Sequence, residues 1–170
     1  MARLRSNGVL DTAFGSGGKR VIGFGGVGES DFESAFGAAL QRDGKIVLAG
    51  SSGVRVAVAR LNPNGSPDTT FDGDGTAVID FGPGSDRAEG AVLQPDGKIV
   101  VAGSTQAGRG VAVARLNANG SPDATFGAAG KAAVDFGAAT SGHAVALQPN
   151  GRIVAAGRRG GDFAVARLLG

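Results

Sequence analysis

His143 is the one histidine of this sequence and the side chain best suited to acid–base chemistry, because imidazole titrates near neutral pH. Glu89 and Phe36 hold the equivalent position in two other parts of the chain. A histidine beside a carboxylate could transfer protons in a hydrolase or lyase. No nucleophile, third partner or set of metal ligands accompanies the pair, so we expect residues that line a channel rather than a catalytic site.

A second candidate for chemistry is the carboxylate cluster Asp68, Asp72 and Asp74. Calcium prefers clustered carboxylate oxygens. In the two other copies of this segment, glycine or alanine replaces Asp72 and Asp74, and no glutamate follows at EF-hand spacing. We therefore predict no metal and no cofactor for this chain.

Other polar and aromatic residues recur in every copy. An aspartate at a turn can accept hydrogen bonds from loop amides, and a phenylalanine three residues later can fill a gap between structural units. We interpret these positions as structural, with a recurring arginine that pairs with loop acids or carbonyls. The residues are Asp11, Phe14, Asp68, Phe71, Asp123 and Phe126, with Arg60, Arg115 and Arg167.

The elements that must position these residues repeat three times. Each repeat sets Asp-Gly or Asn-Gly between two apolar runs, which is the strongest short-range hairpin signal because the tight turn needs positive φ. The pairs begin at Asp43, Asp96 and Asn150. Ala-Arg-Leu recurs at spacings of 57, 55 and 52 residues, starting at Ala2, Ala59, Ala114 and Ala166. The chain starts and stops at the same phase of the repeat, as an excised or engineered segment would.

Each repeat predicts four short strands, the last at residues 19–25, 76–82 and 131–137. Several strands, such as 46–49 and 56–59, are apolar on both faces and must be buried on both sides. Small sheets stacked face to face meet this need, and four-stranded repeats of about 40 to 50 residues are typical of propeller blades. We predict an all-β β-propeller with three four-stranded blades. The alternative is a β-trefoil, which also has threefold repetition.

Composition excludes several classes of function. The net charge is only +2, and no basic run or aromatic platform suggests nucleic-acid binding. The absence of cysteine excludes disulfides and thiol catalysis. The longest apolar runs are about half a membrane span. The first residues lack the apolar segment of a signal peptide, so we predict none in this chain and leave its compartment open.

The repeat resembles a known family. Residues 93–103 read Leu-Gln-Pro-Asp-Gly-Lys-Ile-Val-Val-Ala-Gly, and residues 111–127 read Val-Ala-Val-Ala-Arg-Leu-Asn-Ala-Asn-Gly-Ser-Pro-Asp-Ala-Thr-Phe-Gly. This pattern is similar to the delta-60 repeat of bacterial β-propeller-like proteins, a family of unknown function, and its hairpin resembles that of NHL-type propellers. The resemblance covers the whole chain and implies an exported or cell-surface bacterial parent.

The likeness to NHL-type propellers implies a strand order within each blade. In the middle repeat the order from the axis outward is 88–94, 98–103, 111–117 and 131–137. Residues 1–170 then form one repeat domain, with an N-terminal strand in 1–25, blade 1 at 26–82, blade 2 at 83–137, and blade 3 at 138–170 without its outermost strand.

Three blades are too few to close a ring, since propellers have about four to eight. An open array would leave two apolar blade faces in water. We therefore predict a homodimer with six blades, in which the N-terminal strand of each chain completes blade 3 of the other. A trimer is the less favoured alternative.

The loops that differ between repeats are expected to gather on one face of the propeller, where binding residues commonly lie. They are 26–34, 51–53, 83–87, 104–109, 138–141 and 158–161. The candidate binding residues are Phe36, Arg87, Glu89, Arg109, His143, Arg158 and Arg159. We expect a non-catalytic, self-assembling scaffold. The alternatives are a module that binds a protein or glycan, and a hydrolase or lyase that uses His143 and Glu89.

Overall fold

The computed structural model describes residues 1–25, 33–106, 110–137 and 140–170. In this part of the chain there is no helix long and apolar enough to span a membrane. The regular elements there are eleven β-strands. They are β1 (Glu33–Leu40), β2 (Ile46–Ser52), β3 (Arg55–Leu61), β4 (Thr76–Ile79), β5 (Asp86–Leu93), β6 (Ile99–Thr105), β7 (Gly110–Leu116), β8 (Lys131–Asp135), β9 (Thr140–Leu147), β10 (Ile153–Arg159) and β11 (Asp162–Leu168).

These strands form three small antiparallel sheets. The orders are β1-β2-β3-β4, β5-β6-β7-β8 and β9-β10-β11. β5 lies beside both β1 and β9, so the first strands of the three sheets are neighbours. This arrangement is that of consecutive propeller blades around an axis, with β1, β5 and β9 innermost. The predicted all-β propeller fold is confirmed.

Local chemistry explains the hairpin that opens each sheet. The turn glycines Gly44, Gly97 and Gly151 have φ of 84°, 87° and 81°, a region that favours glycine. The residue before each glycine accepts a hydrogen bond from the amide two positions later, with Asp43 Oδ1 3.1 Å from the nitrogen of Lys45. The turn therefore needs only its own residues, which is why the pattern is visible in the sequence.

Apolar contacts between adjacent sheets form the core. Between the first two sheets, β2 and β3 contribute Val47 and Val58, and β6 and β7 contribute Ile99 and Leu116. A corresponding cluster joins the second and third sheets around Val100, Val113 and Ile153. Strands with apolar side chains on both faces are thus buried between two neighbours.

The segment 19–25 differs from its prediction, because it does not form a strand. Residues 20–25 have no ladder partner, and Lys19 makes only isolated bridges, to Ala2 and Ser16. By comparison, β4 pairs over four residues with β3 of its own blade. The physical reason is that 19–25 needs a partner like β3 to pair with. The counterpart of β3 beside it is only the short stretch Ala2–Leu4.

Candidate functional site

The innermost strands place Phe36, Glu89 and His143 at equivalent β-bulges. The pairing of β1 with β2 skips Phe36, that of β5 with β6 skips Glu89, and that of β9 with β10 skips His143. A bulge leaves one residue out of the ladder and re-aims its side chain, a feature common near binding sites. Phe36 is 51% exposed and His143 is exposed. Glu89 forms an ion pair with Arg87, with Oε1 2.6 Å from Nε.

The remaining arginines of the predicted binding face do not converge on this row. Arg158 Nε donates to the carbonyl of Gly160 in the β10–β11 turn. Arg159 Nε donates to the carbonyl of Phe136 at 2.6 Å, which ties the third blade to the second. Arg109, together with loop residues 26–32, 107–108 and 138–139, lies outside the described residues. Of the predicted set, the structure therefore brings Phe36, Arg87 and Glu89 together, whereas Arg158 and Arg159 are engaged elsewhere.

A groove with a volume of about 350 Å³ lies beside the bulge row on the side of the variable loops. Phe36 and Arg87 line it, together with hydroxyl side chains from β2, β6 and β9, among them Ser51 and Ser141. Asp86, also in its lining, is buried; its Oδ2 accepts from the amide of Phe81, and its Oδ1 has no hydrogen-bond partner in the described part of the chain. One exposed aromatic ring beside a small number of polar groups is a combination found in small-ligand sites.

The recurring arginine, aspartate and phenylalanine form one compact station in blade 1. Arg60 Nε donates to Asp68 Oδ2 at 2.6 Å, and its guanidinium carbon lies 4.9 Å from the centre of the Phe71 ring. Lys45 Nζ lies 3.0 Å from the same carboxylate, and Thr70 Oγ1 donates to Asp68 Oδ1 at 2.7 Å. Burial opposes ionisation of Asp68, but these hydrogen bonds outweigh it and hold its pKa well below the ordinary range.

Blade 2 repeats the station. Arg115 Nε donates to Asp123 Oδ2 at 2.7 Å, and Arg115 lies over the Phe126 ring at 4.8 Å. Hydrogen bonds from Thr125 lower the pKa of Asp123 well below the ordinary range despite burial, and the charge of Arg115 lowers it further. The repetition of the same contacts in consecutive blades indicates a structural unit.

Two of the three carboxylates of the candidate calcium cluster are engaged separately. Asp68 is bound to Arg60 and Lys45, as described. Asp74 Oδ1 accepts from the backbone and hydroxyl of Thr76 at 2.7 Å each. In the described part of the chain, no group of three or more His, Cys, Asp or Glu side chains is arranged to hold a metal ion.

The station of blade 1 also reaches the following blade. Arg60 Nη1 donates to the carbonyl of Ala118, and the amide of Asp72 donates to the carbonyl of Asn119 at 2.7 Å. Phe71 lies against the turn at Gly120, where an added Cβ would come within 3.1 Å of the ring. The station of blade 1 is therefore a clamp onto blade 2.

The N-terminal segment 1–25 clamps blade 1 in the same way. Arg3 binds Asp11 at 2.7 Å, lies 4.9 Å from the Phe14 ring and donates to the carbonyl of Pro63. The amide of Gly15 donates to the carbonyl of Asn64 at 2.8 Å. The segment thus sits on blade 1 as the outer part of a blade sits on its successor.

The inner part of that preceding blade is not supplied by this chain within the described residues. Phe14 and Ile22 pack on Ile46, Leu61 and Leu48 in a small cluster. A groove with a volume of about 490 Å³ separates residues 20–24 from β1, β2 and β3. At the other end of the array, Phe163 is 96% exposed and Val165 61% exposed, whereas their equivalents in β3 and β7 are at most 2% exposed. These equivalents are Val56, Val58, Val111 and Val113.

The sequence matches a protein family described as a domain of unknown function (DUF5122) beta-propeller, at residues 41–71, 94–126 and 148–170. These three segments make up just over half of the chain. The chain belongs to this family. The DUF5122 match begins within each Asp-Gly or Asn-Gly hairpin and runs through the third strand of every blade, so it covers the same repeat that the structure shows.

Among solved structures, a chain from the crystal structure of selenomethionine-substituted virginiamycin B lyase from Staphylococcus aureus is similar to this one, with a TM-score of 0.47 and 10% sequence identity. The similarity covers 79% of this chain and 41% of that chain, so this DUF5122 protein spans less than half of its length. No curated protein matches the sequence significantly.

Two features of this DUF5122 chain escaped prediction. The first is the close approach at Gly103, where an added Cβ would lie 2.0 Å from the carbonyl oxygen of Arg87, beside the Glu89 bulge. The glycine that ends each hairpin motif, also seen at Gly50 and Gly157, was the available signal. The second is the exposure of Phe163, a phenylalanine in a position where the other repeats have valine.

Proposed function

We propose that this β-propeller segment is a non-catalytic scaffold that assembles with a second copy into a six-bladed ring. The observation that carries the proposal is the match between two incomplete surfaces. The cluster of Phe14 and Ile22 on blade 1 corresponds to the blade 1–blade 2 core without the side chains that β2 and β3 provide there. β10 and β11 carry those side chains, unburied, on the open face of blade 3.

Equivalent positions in blades 1 and 3 show which side chains would meet across the seam. In the blade 1–blade 2 core, Val47, Ala49, Val56 and Val58 are buried. Val154, Ala156, Phe163 and Val165 hold these positions in blade 3. Placed against the N-terminal segment of a second copy, they would fill the groove of about 490 Å³ beside blade 1.

Strand pairing follows the same equivalence. β3 pairs with β4 through Val56 with Ile79 and Ala59 with Thr76. In the ring, β11 of one copy would pair with residues 19–22 of the other, with Phe163 opposite Ile22. This supplies the ladder that 19–25 lacks in the single chain and covers the free edge of β11, and an uncovered edge invites association. Two such seams close a ring with twofold symmetry.

Three further features of the chain agree with a scaffold rather than an enzyme. Glu89 is bound to Arg87, Arg158 and Arg159 donate to backbone carbonyls, and the recurring carboxylates are engaged with arginine, lysine or threonine. We also propose that the repeats are of the delta-60 type.

The test is the mass in solution. Sedimentation velocity on the 170-residue chain across the micromolar range is expected to give two chains per particle. Val165→Lys should yield monomers, because it puts a positive charge on the apolar face of β11, opposite Arg20 of the second copy in the register of Val58 and Ala77. Val54→Lys is the matched control, since Val54 is similarly exposed, at 56%, but lies in the β2–β3 turn away from the seam. A wild-type chain that remains a monomer throughout would refute the proposal.

A second candidate function is ligand binding in the groove beside the bulge row, and its support is the exposed ring of Phe36 beside Arg87 and the hydroxyl side chains of the lining. A sugar ring fits this chemistry, since its C–H face can pack on an aromatic ring while its hydroxyls meet Arg87 and the serine hydroxyls. Binding on a glycan array that is lost in Phe36→Ala would support this function. No binding by the wild-type chain would dismiss it.

A further inference from the structure

Two residues break the repeat at positions where the other blades agree. Arg20 stands where the outermost strands carry alanine, and Phe163 stands where the third strands carry valine. The alanines are Ala77 and Ala132, and the valines are Val56 and Val111. Both exceptions lie on surfaces that the proposed ring brings together.

In the single chain each exception is unfavourably placed. Phe163 is 96% exposed, which leaves a large apolar side chain in water. Arg20 lines the groove beside blade 1, and its Nε is buried with no hydrogen-bond partner among the described residues. A buried donor without an acceptor costs free energy unless another interaction replaces the hydrogen bond.

The geometry of the complete blades relates the two positions. Val56 pairs with Ile79 and Val58 pairs with Ala77, so Val56 and Ala77 are diagonal neighbours on one face of the sheet. Diagonal neighbours in an antiparallel pair are about 7–8 Å apart, within reach of aromatic and long side chains. By equivalence, Phe163 of one copy is diagonal to Arg20 of the other in the composite blade.

We infer that Arg20 of one copy and Phe163 of a second copy form a cation–π pair across each seam of the ring. This inference rests on the proposed self-assembly. A guanidinium over an aromatic ring is attracted by the negative face of the ring, and the attraction is larger when both groups are out of water. Blades within one chain bring valine against alanine at this place, so the pair distinguishes the seam between chains from the junctions within them.

The test is a double-mutant cycle on the dissociation constant of the dimer, measured by sedimentation equilibrium. Arg20→Met keeps the apolar stem and removes the charge, and Phe163→Leu keeps an apolar side chain and removes the ring. Each is expected to raise the dissociation constant by about fivefold to thirtyfold, because every ring holds two pairs. The dissociation constant of the double variant should be no higher than that of the single variant that dimerises more weakly. Circular dichroism of each variant at monomeric concentration verifies the fold.

Arg55→Met and Val54→Ala are matched controls, because both residues are largely exposed and lie at the β2–β3 turn, away from the seam. They should change the dissociation constant by less than about twofold. If the wild-type chain dimerises but the effects of Arg20→Met and Phe163→Leu simply add, the pairing is wrong while the ring stands. If the wild-type chain never dimerises, both proposals fall.

Discussion

At the residue scale, the station of arginine, aspartate and phenylalanine shows how one buried charge can serve a fold. The guanidinium of Arg60 reaches the carboxylate of Asp68, the hydroxyl of Thr70 and the carbonyl of Ala118, and its flat side covers Phe71. A buried ion pair is favourable only when such additional hydrogen bonds replace the lost water. Because one of these partners belongs to the next blade, the station also sets how the blades are oriented.

Phe71→Ala tests the packing part of the station. The side chain is fully buried between two blades, so its removal is expected to lower the free energy of unfolding by about 3–5 kcal/mol. Phe36→Ala is the matched control, since Phe36 is half exposed and should change stability by less than about 1 kcal/mol. Urea denaturation gives both values, and equal stability of the two variants would contradict the burial argument.

The lowered pKa values of Asp68 and Asp123 predict how stability depends on pH. Both lie below the ordinary value of 3.8, so the unfolded chain takes up protons first as the medium is acidified. The stabilisation is therefore complete above about pH 5 and is lost progressively as the pH falls below about 4. The melting temperature, measured from neutral pH to about pH 2, should follow this course.

Asp68→Asn is the informative variant for this pH dependence. It removes the charge that pairs with the buried Arg60, so the melting temperature at neutral pH should fall, and the decline in acid should become shallower. A variant with the acid dependence of the wild-type chain would show that Asp68 does not contribute to it.

At the element scale, the innermost strands are shaped by bulges that depend on a glycine in the neighbouring strand. Each bulge brings a carbonyl oxygen toward the last glycine of the hairpin motif, at distances of 1.8 to 2.0 Å from a hypothetical Cβ. The three contacts are Gly50 with Ser34, Gly103 with Arg87, and Gly157 with Ser141. The bulges that place Phe36, Glu89 and His143 outside the ladder therefore require a residue without Cβ, a glycine, at this position of the neighbouring strand.

Gly103→Ala tests this dependence. The new methyl group would overlap the carbonyl of Arg87, and relief requires a shift of β5 against β6, so we expect a loss of at least about 1–3 kcal/mol in stability. Gly161→Ala is the control, because nothing lies within 4 Å of its Cβ position and its φ is not positive. Thermal unfolding compares the two, and a Gly103→Ala chain as stable as the control would remove the steric argument.

At the scale of the whole molecule, the proposed ring brings two copies of Ala-Arg-Leu to one place. Ala2–Leu4 in the N-terminal segment and residues 166–168 in β11 are equivalent to Ala59–Leu61. β11 is paired with β10 through Leu168, whereas Ala2 and Leu4 make only isolated bridges. On assembly, we expect residues 166–168 to keep their place and Arg167 to take over the site of Arg3 at Asp11.

Deletion of residues 1–4 tests whether residues 166–168 take the place of Ala2–Leu4 on assembly. The truncated chain is expected to dimerise at least as tightly as the full chain, because the displaced segment no longer competes. Arg167→Ala in the same background should weaken the dimer, since Asp11 would then keep only the more distant Arg5, at 3.8 Å, and no arginine would take the place of Arg3 over the ring of Phe14. Sedimentation equilibrium measures both, and a truncated chain that dimerises more weakly would show that Arg3 stays in place.

Much of this protein was determined by the sequence alone. The hairpins at Asp43, Asp96 and Asn150 depend on residues within the turn, and burial of the strands follows from apolar side chains on both faces, so the repeat, the strands within each blade and the fold class could be predicted. The recurring Asp68 and Phe71 were also recognisable, because each blade needs the same junction.

The tertiary structure alone decided the features that depend on contacts between distant segments. Residues 19–25 have the composition of a strand but lack a ladder, since pairing requires a neighbour that the chain itself does not bring there. The bulge at Glu89 depends on Gly103 in the adjoining strand, and the relation between Arg20 and Phe163 exists only when the first and third blades are compared in space. Local chemistry thus set the blade, while non-local packing set its bulges, its open faces and the surface offered to a second chain.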